Sequence, residues 1–339
     1  MNIYDLTYEE LENYFIEKNE KKYRVSQVFE WLYKKRVKSF SEMTNLSKDI
    51  ISMLERDFNF YIPVIVKEEN DIDVSKYLFK LNDNEHIESV LMRHNYGLSL
   101  CISSQVGCNM GCSFCESGRR KKVRNLTASE MILQIIEIER LINERISHIV
   151  IMGIGEPFDN YSNLVKFIEN INNPKGLEIG SRHITVSTCG IVSKIYEFSD
   201  LKYQVNLAIS LHAANDELRS SLMPINKVYP LKDLIEAIKY YLSKSNRRIT
   251  FEYILLSGVN DSISHAKELC KLVKGLNCYI NLIPYNESSN YSYKRPKNSD
   301  IMKFYDIIKK ENINVTIRRE FGSDISAACG QLRSKKEEY

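Results

Sequence analysis

Apolar positions in the first 80 or so residues recur with the spacing of amphipathic helices. Three segments predict helices: LTYEELENYFIEKN at 6–19, YRVSQVFEWLYKKRV at 23–37 and SKDIISMLERDF at 47–58. Thr7 and Glu10 have the spacing of a capping box at the start of the first helix. The second helix is expected to turn Trp31 toward the core. Two strand-like runs, 75–82 and 86–93, flank the turn-like DNE and predict a hairpin.

From about residue 97 the pattern changes to short, β-rich apolar runs that alternate with amphipathic helices. The predicted strands are LSLCISS, HIVIMG, HITVST, VNLAISLH, RITFEYILL, CYINLIPY and NVTIRRE. The predicted helices include TASEMILQIIEIERLI, NLVKFIENI, LKDLIEAIKYYLSK, SHAKELCKLVKG and DIMKFYDIIKK. This alternation is typical of βα units around a parallel sheet, so the predicted fold class is α/β. The number of repeats favours a partial, TIM-like (β/α)6 barrel, with chemistry at the C-terminal ends of its strands.

The hydropathy pattern and the N-terminal residues predict the cellular location of the protein. No apolar run approaches the roughly 18–20 residues of a membrane span. The acidic, polar start MNIYDLTYEE is unlike a secretory signal. We therefore expect a cytoplasmic protein with no membrane partner. Stable structural disulfides are uncommon in the cytoplasm, so clustered cysteines there more often bind metal or carry out redox chemistry.

The distribution of charge is more informative than its total. The net charge is only +3, but cations are concentrated in WLYKKRVK at 31–38 and GRRKKVR at 118–124. Basic runs beside aromatic side chains suit contact with RNA phosphates, and Tyr33 is a candidate for stacking on a base. Solvated helix faces are the alternative interpretation of each run.

The stretch CISSQVGCNMGCSFCESG at 101–118 holds four of the eight cysteines. Three of them have the spacing C-x3-C-x2-C: Cys108, Cys112 and Cys115. They follow the first barrel strand, and Gly107 and Gly111 let the loop curl so that the thiols can converge. Thiolates bind zinc or iron–sulfur clusters. A structural zinc site needs a fourth ligand, for which Cys101 is the candidate. A cubane cluster on three thiolates would instead keep one iron open to a small molecule.

The cysteine motif resembles that of the radical S-adenosylmethionine (SAM) superfamily, in which the open iron chelates SAM and reductive cleavage yields a 5′-deoxyadenosyl radical. Other motifs are similar to those of the RlmN group of RNA methyltransferases and span nearly the whole chain. They include YRVSQVFEWLYKKRVKSFSEMTNLSK, RNLTASEM, MGIGEP, HITVSTCGIV, AISLHAANDELR, MPINKVYPL, FEYILLSGVNDS, NLIPYN and GSDISAACGQLR. The resemblance implies a helical RNA-binding accessory domain at 1–80, a radical SAM barrel with a preceding hairpin at 81–322, and a C-terminal segment at 323–339.

The resemblance also implies the cofactors and their ligands. A 4Fe-4S cluster would be held by Cys108, Cys112 and Cys115, and SAM would bind beside it. Seven residues are assigned to SAM: Gly155, Glu156, Ser187, Ser210, Leu211, His212 and Asn286. Each lies at the C-terminal end of a predicted strand, where a barrel ligand is expected. A lone serine or asparagine at such a place would more often be a helix cap.

Three further residues are implied in catalysis by the same resemblance. Cys329 would take a methyl group from one SAM, and the radical derived from a second SAM would remove a hydrogen from that methyl group. The resulting carbon radical would add to carbon 2 of adenosine, and loss of an electron and a proton would restore the aromatic ring. Cys101 would then attack the sulfur of Cys329, releasing methylated RNA and leaving a transient disulfide. Glu88 would accept the proton that the adenosine ring loses. Without the resemblance, a lone glutamate in HIESV would be more typical of a strand surface.

By resemblance, the substrates are an adenosine at the peptidyl-transferase centre of 23S rRNA and the adenosine beside the anticodon in some tRNAs. A flavodoxin-type electron donor and a monomeric enzyme are expected. Two alternatives stay open. The Cfr group has similar motifs, methylates carbon 8 of the same rRNA adenosine and confers antibiotic resistance. A non-catalytic zinc or iron–sulfur RNA-binding protein is the alternative from another class.

One segment, FCESGRRKKVRNL, departs from the RlmN pattern. Relatives usually have small residues and a glycine-containing stretch after the last cysteine of the motif. Here Glu116 and four consecutive cations, Arg119 to Lys122, replace them. The added charge near the cluster loop is expected to change RNA contacts or substrate preference.

Overall fold

Three α-helices form the N-terminal part of the chain, as the apolar spacing predicts. The computed structural model describes residues 1–288, 290–318 and 332. The helices are α1 (Tyr8–Glu17), α2 (Tyr23–Phe29) and α3 (Lys48–Asp57). The capping box at α1 is confirmed: the Glu10 N–H donates to Thr7 Oγ1 and the Thr7 N–H donates to the Glu10 carboxylate.

A turn of π-helix at Glu30–Lys34 continues α2, and in it the Lys35 N–H donates to the Glu30 carbonyl five residues earlier (2.9 Å). Tyr33 lies on the same buried helix face as Val25 and Phe29, and only 1% of its surface is exposed. The expectation that it stacks on a base is therefore wrong. Trp31 packs against the core, as expected, but is only partly buried, and Lys35 Nζ lies 3.7 Å from the centroid of its ring.

Four strands follow as an antiparallel extension of the sheet. They are β1 (Val64–Asp71), β2 (Val74–Lys80), β3 (His86–His94) and β4 (Gly97–Ile102). The predicted hairpin is confirmed, since β2 pairs antiparallel with β3. β1 was not predicted. It forms one edge of the sheet and its side chains are all exposed or only partly buried, so its sequence lacks a clear apolar face.

From β4 onward, strands and helices alternate as predicted. The remaining strands are β5 (Gln105–Val106), β6 (Arg124–Asn125), β7 (Ile146–Ile151), β8 (Ile184–Thr188), β9 (Asn206–Ser210), β10 (Ile249–Leu255), β11 (Cys278–Pro284) and β12 (Asn314–Ile317). The remaining helices are α4 (Ala128–Ile142), α5 (Tyr161–Asn172), α6 (Val192–Ser199), α7 (Asp216–Leu222), α8 (Leu231–Lys244), α9 (Ile263–Val273) and α10 (Asn298–Lys310). The short helices α6 and α7 were not predicted because neither spans enough turns to show a clear period.

The strands form one ten-stranded sheet in the order β1-β2-β3-β4-β7-β8-β9-β10-β11-β12. The strands from β4 to β12 in this order pair in parallel, and helices connect each to the next. Because β1 and β12 lie at opposite ends of the order, the sheet is open. This is the partial, TIM-like barrel that the alternation of strands and helices predicts. All seven predicted barrel strands are confirmed.

One apolar cluster runs from the N-terminal helices into the barrel. Polar contacts join the same parts: the Ser129 N–H at the start of α4 donates to Asp5 Oδ1 (2.9 Å), and Asn170 Nδ2 of α5 donates to the Leu6 carbonyl (3.0 Å). The N-terminal segment thus packs on the helical exterior of the barrel. The expected domain boundaries stay a prediction, and all of 323–339 except Leu332 lies outside the described residues. No helix in the described part is both long and apolar enough to span a membrane.

Candidate active site

The loop that carries the three cysteines begins after β4. Its outgoing and returning arms lie side by side. The short strands β5 and β6 pair and close the base of the loop. Above them the Cys108 N–H donates to the Arg120 carbonyl (2.9 Å). Gly107 has φ of +74°, and a Cβ there would collide with the Lys121 carbonyl oxygen. A side chain at Gly107 would therefore prevent the two arms from lying together.

The basic run that departs from the RlmN pattern forms the returning arm of this loop. Arg120 pairs with Glu85 (2.5 Å) and Lys122 with Asp159 (2.6 Å), so these two cations hold the loop to its surroundings. Arg119 is about half exposed and 3.8 Å from Glu116, and Lys121 is exposed. Of the four cations, Arg119 and Lys121 are therefore the better placed for RNA phosphates.

A single cleft brings the three cysteines together with most of the predicted SAM residues. Eight predicted residues line it: Cys108, Cys112, Cys115, Gly155, Glu156, Ser187, Ser210 and His212. They come from the loop after β4 and from the C-terminal ends of β7, β8 and β9. The remaining two predicted SAM residues do not line the cleft within the described residues. Leu211 is fully buried between two residues that do, and Asn286 is partly buried just after β11.

The cysteine environment fits a cationic cluster. Burial, opposed by a hydrogen bond from the Met110 backbone and assisted by the neighbouring Cys115, raises the pKa of Cys108 to about 12. Burial and the other two thiols also raise the pKa of Cys112. A bound cation would favour the thiolates. No three His, Cys, Asp or Glu side chains in the described ranges form a group that could hold one metal ion. A cubane binds each thiolate through a different iron, so three thiols that line one cleft suit a cluster whose fourth iron stays open.

Glu156 ties together two loops of the cleft. Its carboxylate accepts the Cys189 N–H at Oε2 (2.7 Å) and the Phe158 N–H at Oε1 (3.0 Å). Burial raises the pKa of this carboxyl, and these hydrogen bonds oppose the shift. Gly155 has φ of +109°, and a Cβ there would lie 2.6 Å from Cβ of Gln105. The glycine is therefore required by the close packing of the loop after β7.

His212 presents a neutral imidazole to the cleft. Its Nδ1 accepts the Ile254 N–H (3.0 Å), and this bond assigns the ring proton to Nε2. Burial, with a smaller effect of Arg219, lowers the pKa of His212 to about 3. Phe114 packs edge-on against the imidazole, with ring centroids 4.9 Å apart. His212 is therefore an uncharged N–H donor that also packs against the cysteine loop.

Two of the predicted catalytic residues share one face of the antiparallel extension. Cys101 on β4 is buried and lies opposite Val90 on β3, and Glu88 is two residues from Val90 on the same face. Such diagonal neighbours have α-carbons about 7–8 Å apart. Glu88 is buried, contrary to the strand-surface alternative, and its carboxylate lies 3.8 Å from Lys76 Nζ.

Leu332 connects the chain end to this region. It packs in a small apolar cluster with Cys101, Val90 and Ile154. Its carbonyl accepts the Ser117 hydroxyl (2.8 Å), two residues beyond the last cysteine of the motif. Cys329, the predicted methyl carrier, lies outside the described residues.

Sequence reasoning missed three residues at or behind the cleft. Glu252 on β10 lines it, and Asn281 Nδ2 donates to its carboxylate (2.9 Å). Its signal was a lone acid in the otherwise apolar run RITFEYILL. Cys189 also lines the cleft, and its signal was a solitary cysteine at the end of the run HITVST. Arg219 is fully buried behind it and gave no signal beyond its place in DELRSSL.

Two family profiles match the chain. The Radical SAM superfamily profile covers residues 102–271, which include the cysteine loop and most of the parallel strands. The profile described as the ribosomal RNA large subunit methyltransferase N-terminal domain covers residues 1–59, the region of the three N-terminal helices.

Curated relatives match almost end to end. A probable dual-specificity RNA methyltransferase RlmN from Enterococcus faecalis is 54% identical over 99% of this chain and 96% of its own length. The same description applies to a protein from Acholeplasma laidlawii, 52% identical over 99% of both chains. Among solved structures, a radical SAM methyltransferase from Sphaerobacter thermophilus superposes with a TM-score of 0.93 and 41% identity, over 99% of this chain and all of that one.

Proposed function

The chain belongs to the RlmN family of radical SAM RNA methyltransferases, and we propose that it methylates carbon 2 of adenosine in 23S rRNA and in some tRNAs. The observation that carries this proposal is the cleft in which three cysteines meet five predicted SAM residues. Relatives described as dual-specificity enzymes support the use of both RNAs.

The cofactors of the enzyme are a 4Fe-4S cluster and SAM. Cys108, Cys112 and Cys115 would hold the cluster, which when bound supplies the electron that cleaves SAM. The remaining lining residues offer groups suited to an amino acid and a nucleoside. They are the hydroxyls of Ser187 and Ser210, the Nε2–H of His212 and the backbone at Gly155 and Glu156. Leu211 and Asn286 complete the proposed SAM site at the adjoining strand ends.

Cys329 and Cys101 are proposed to carry the methyl group and release the product. Cys329 bears the methyl on its sulfur, and Cys101 attacks that sulfur once the carbon is joined to adenosine. The new S–S bond forms as the S–C bond breaks, and the released carbon takes up a proton. Leu332 supports this pairing: it packs beside Cys101, and it is three positions from Cys329, a separation that spans at most about 11 Å between α-carbons.

Glu88 is proposed as the group that accepts the proton from the adenosine ring. Its place on the same face as Cys101 supports this role, because both groups can then face one bound base. Lys76, 3.8 Å from the carboxylate, favours the ionised form that a proton acceptor needs.

We propose that RNA also contacts the N-terminal helices. Two cation–aromatic pairs, each with one exposed and one partly buried member, support this: Arg24 lies 4.9 Å from the Tyr23 ring, and Lys35 lies 3.7 Å from the Trp31 ring. Both pairs adjoin Asn45, which accepts from Arg24 and from the Trp31 indole. Such surfaces bind phosphate and stack on unpaired bases. A flavodoxin-type reductant, a monomeric state and a cytoplasmic location complete the proposal.

Anaerobic reconstitution with iron and sulfide, followed by mass mapping of methylated RNA, tests the proposal. The wild type is expected to place the methyl on carbon 2. Cys329→Ala should abolish methylation and Cys101→Ala should trap a protein–RNA adduct, while both retain the cluster. Cys270→Ala, which changes a buried cysteine on α9 away from the cleft, is the matched control and should methylate normally.

Each contrary outcome has a defined meaning. A methyl group on carbon 8 would assign the enzyme to the Cfr reaction. A colourless protein that contains zinc and cleaves no SAM would support the non-catalytic alternative. Loss of iron from Cys101→Ala would make Cys101 a metal ligand and remove it from the release step.

A further inference from the structure

Arg219 on α7 lies directly behind the cleft and has no accessible surface. Its guanidinium makes four hydrogen bonds. Nη2 donates to the carbonyls of Cys189 (2.7 Å) and Ser210 (3.1 Å), Nε donates to the Leu211 carbonyl (3.1 Å), and Nη1 donates to Asn226 Oδ1 (2.8 Å). Three of these four acceptors are backbone groups at the ends of β8 and β9.

The contacts of Arg219 extend a hydrogen-bonded chain across three strand ends. The Glu156 carboxylate accepts the Cys189 N–H, and the carbonyl of Cys189 in turn accepts from Arg219. The same guanidinium nitrogen continues the chain to the Ser210 carbonyl. Through Arg219, the loops after β7, β8 and β9 form one hydrogen-bonded unit.

No acidic side chain in the described part of the chain bonds directly to Arg219. All four of its hydrogen bonds to described residues end on oxygens without formal charge. A buried cation without a bonded acid is costly, and a guanidinium does not lose its proton to avoid that cost. The cysteine loop bonds to the same helix, because the Ser113 N–H donates to the carbonyl of Leu222 at the end of α7 (2.9 Å), and Cys112 packs against the cluster that holds Leu222. The positive charge of Arg219 therefore lies beside the cysteine loop.

Asn226 fixes the far side of the guanidinium. Its amide nitrogen donates to the carbonyl and the carboxylate of Asp216 (3.2 and 2.9 Å), which leaves Oδ1 directed at Arg219. Gly190 closes the other side: with φ of +104°, it brings backbone so near that a Cβ would lie 3.4 Å from Nη2. The guanidinium is thus held in one orientation.

We propose that Arg219 is a positioning residue with two effects on the SAM site. First, the hydrogen bonds of its planar guanidinium fork fix the strand ends that carry Ser210 and Leu211. Second, its charge stabilises the reduced, more negative form of the cluster on the adjacent cysteine loop. This inference rests on the proposed SAM site. Lysine retains the charge but cannot reproduce the fork, whereas methionine removes both, so the two effects can be separated.

The experiment compares Arg219→Lys, Arg219→Met and wild-type enzyme, all anaerobically reconstituted. SAM affinity is measured by equilibrium dialysis, and the cluster midpoint potential by redox titration followed by electron paramagnetic resonance. Both variants should bind SAM about tenfold or more weakly, since each loses several charge-assisted hydrogen bonds. The potential should stay near the wild-type value in Arg219→Lys and become more negative in Arg219→Met.

Arg140→Met is the matched control, because Arg140 pairs with Glu137 on α4. Arg140→Met should change neither the SAM affinity nor the cluster midpoint potential. If Arg219 variants fail to fold, Asn226→Ala carries the positioning test, and it should weaken SAM binding with little change in potential. Wild-type affinity in Arg219→Lys, or in Asn226→Ala, would overturn the positioning role. An unchanged potential in Arg219→Met would overturn the electrostatic role. Wild-type enzyme that binds no SAM would instead refute the proposed function.

Discussion

The cleft and the face that carries Cys101 adjoin each other on one sheet but differ in construction. In the cleft, Glu156, His212 and the hidden Arg219 are held by backbone groups from neighbouring strand ends. Cys101 instead packs in an apolar cluster with Val90, Ile154 and Leu332, and the carboxyl group of Glu88 lies on the same face. The difference indicates that the cleft is rigidly prepared for a polar cofactor, whereas the Cys101 face shields a thiol from water.

Glu88→Gln gives the largest expected effect on the Cys101 face. Methylation should slow about a hundredfold or more, because a positioned base contributes about that much. Iron content and SAM binding should not change, since Glu88 does not line the cleft. The measurement is single-turnover methylation of RNA by reconstituted enzyme.

Glu69→Gln is the control for this prediction. Glu69 also pairs with Lys76 (2.6 Å) but has no predicted chemical role. Equal slowing in the two variants would show that only the ion pair with Lys76 matters, and Glu88 would then not be the proton acceptor.

Glu156→Gln tests the rigidity of the cleft. The amide can accept only one of the two backbone N–H bonds, and its own NH2 would face the other. We expect unfolding to become easier by about 2–3 kcal/mol and SAM binding to weaken with it. Denaturant unfolding and equilibrium dialysis measure the two effects.

Glu130→Gln supplies a comparison outside the cleft, because Glu130 caps α4 and pairs with Arg124. It should lower stability but leave SAM binding intact. If Glu156→Gln behaves in the same way, its carboxylate supports the fold without shaping the SAM site.

His212→Asn gives the smallest expected effect, which is a change in how folding stability depends on pH. A folded-state pKa of about 3, below the ordinary 6.5, means that the unfolded chain binds the extra proton first. The stabilising contribution of neutral His212 is therefore complete above about pH 6.5 and is lost as pH falls toward 3. When the pH falls from 7 to 5.5, the free energy of unfolding of the wild type should decrease by about 1 kcal/mol more than that of the variant. Parallel pH profiles in urea unfolding would show that the imidazole is not buried in its neutral form.

The sequence was sufficient where one local pattern determines the outcome. Apolar alternation predicted the seven barrel strands, and the cysteine spacing predicted a loop that lines a cleft with residues such as Ser187 and Ser210. It was insufficient where a role was assigned from residue type without regard to the helix face. Tyr33 has the helical spacing of Val25 and Phe29 and is buried with them, so its ring is not available to stack on a base.

Arg219 and Glu252 show a second limit. Arg219 bonds to Cys189, 30 residues away in sequence, and Glu252 bonds to Asn281, 29 residues away. Such partners meet only through strand order, which local patterns do not encode. The role of Cys329 stays a prediction of the family resemblance.

Iron content and SAM cleavage measured together on one anaerobic sample provide the most direct test of the central claim, a three-thiolate cluster beside SAM. With reductant and RNA present, we predict about four irons per chain in wild type, since a cubane contains four, and release of 5′-deoxyadenosine. Cys112→Ala should lose both the iron and the product, whereas Cys101→Ala should keep its iron. Wild-type protein that holds no iron, or that holds iron yet forms no 5′-deoxyadenosine, would contradict the account.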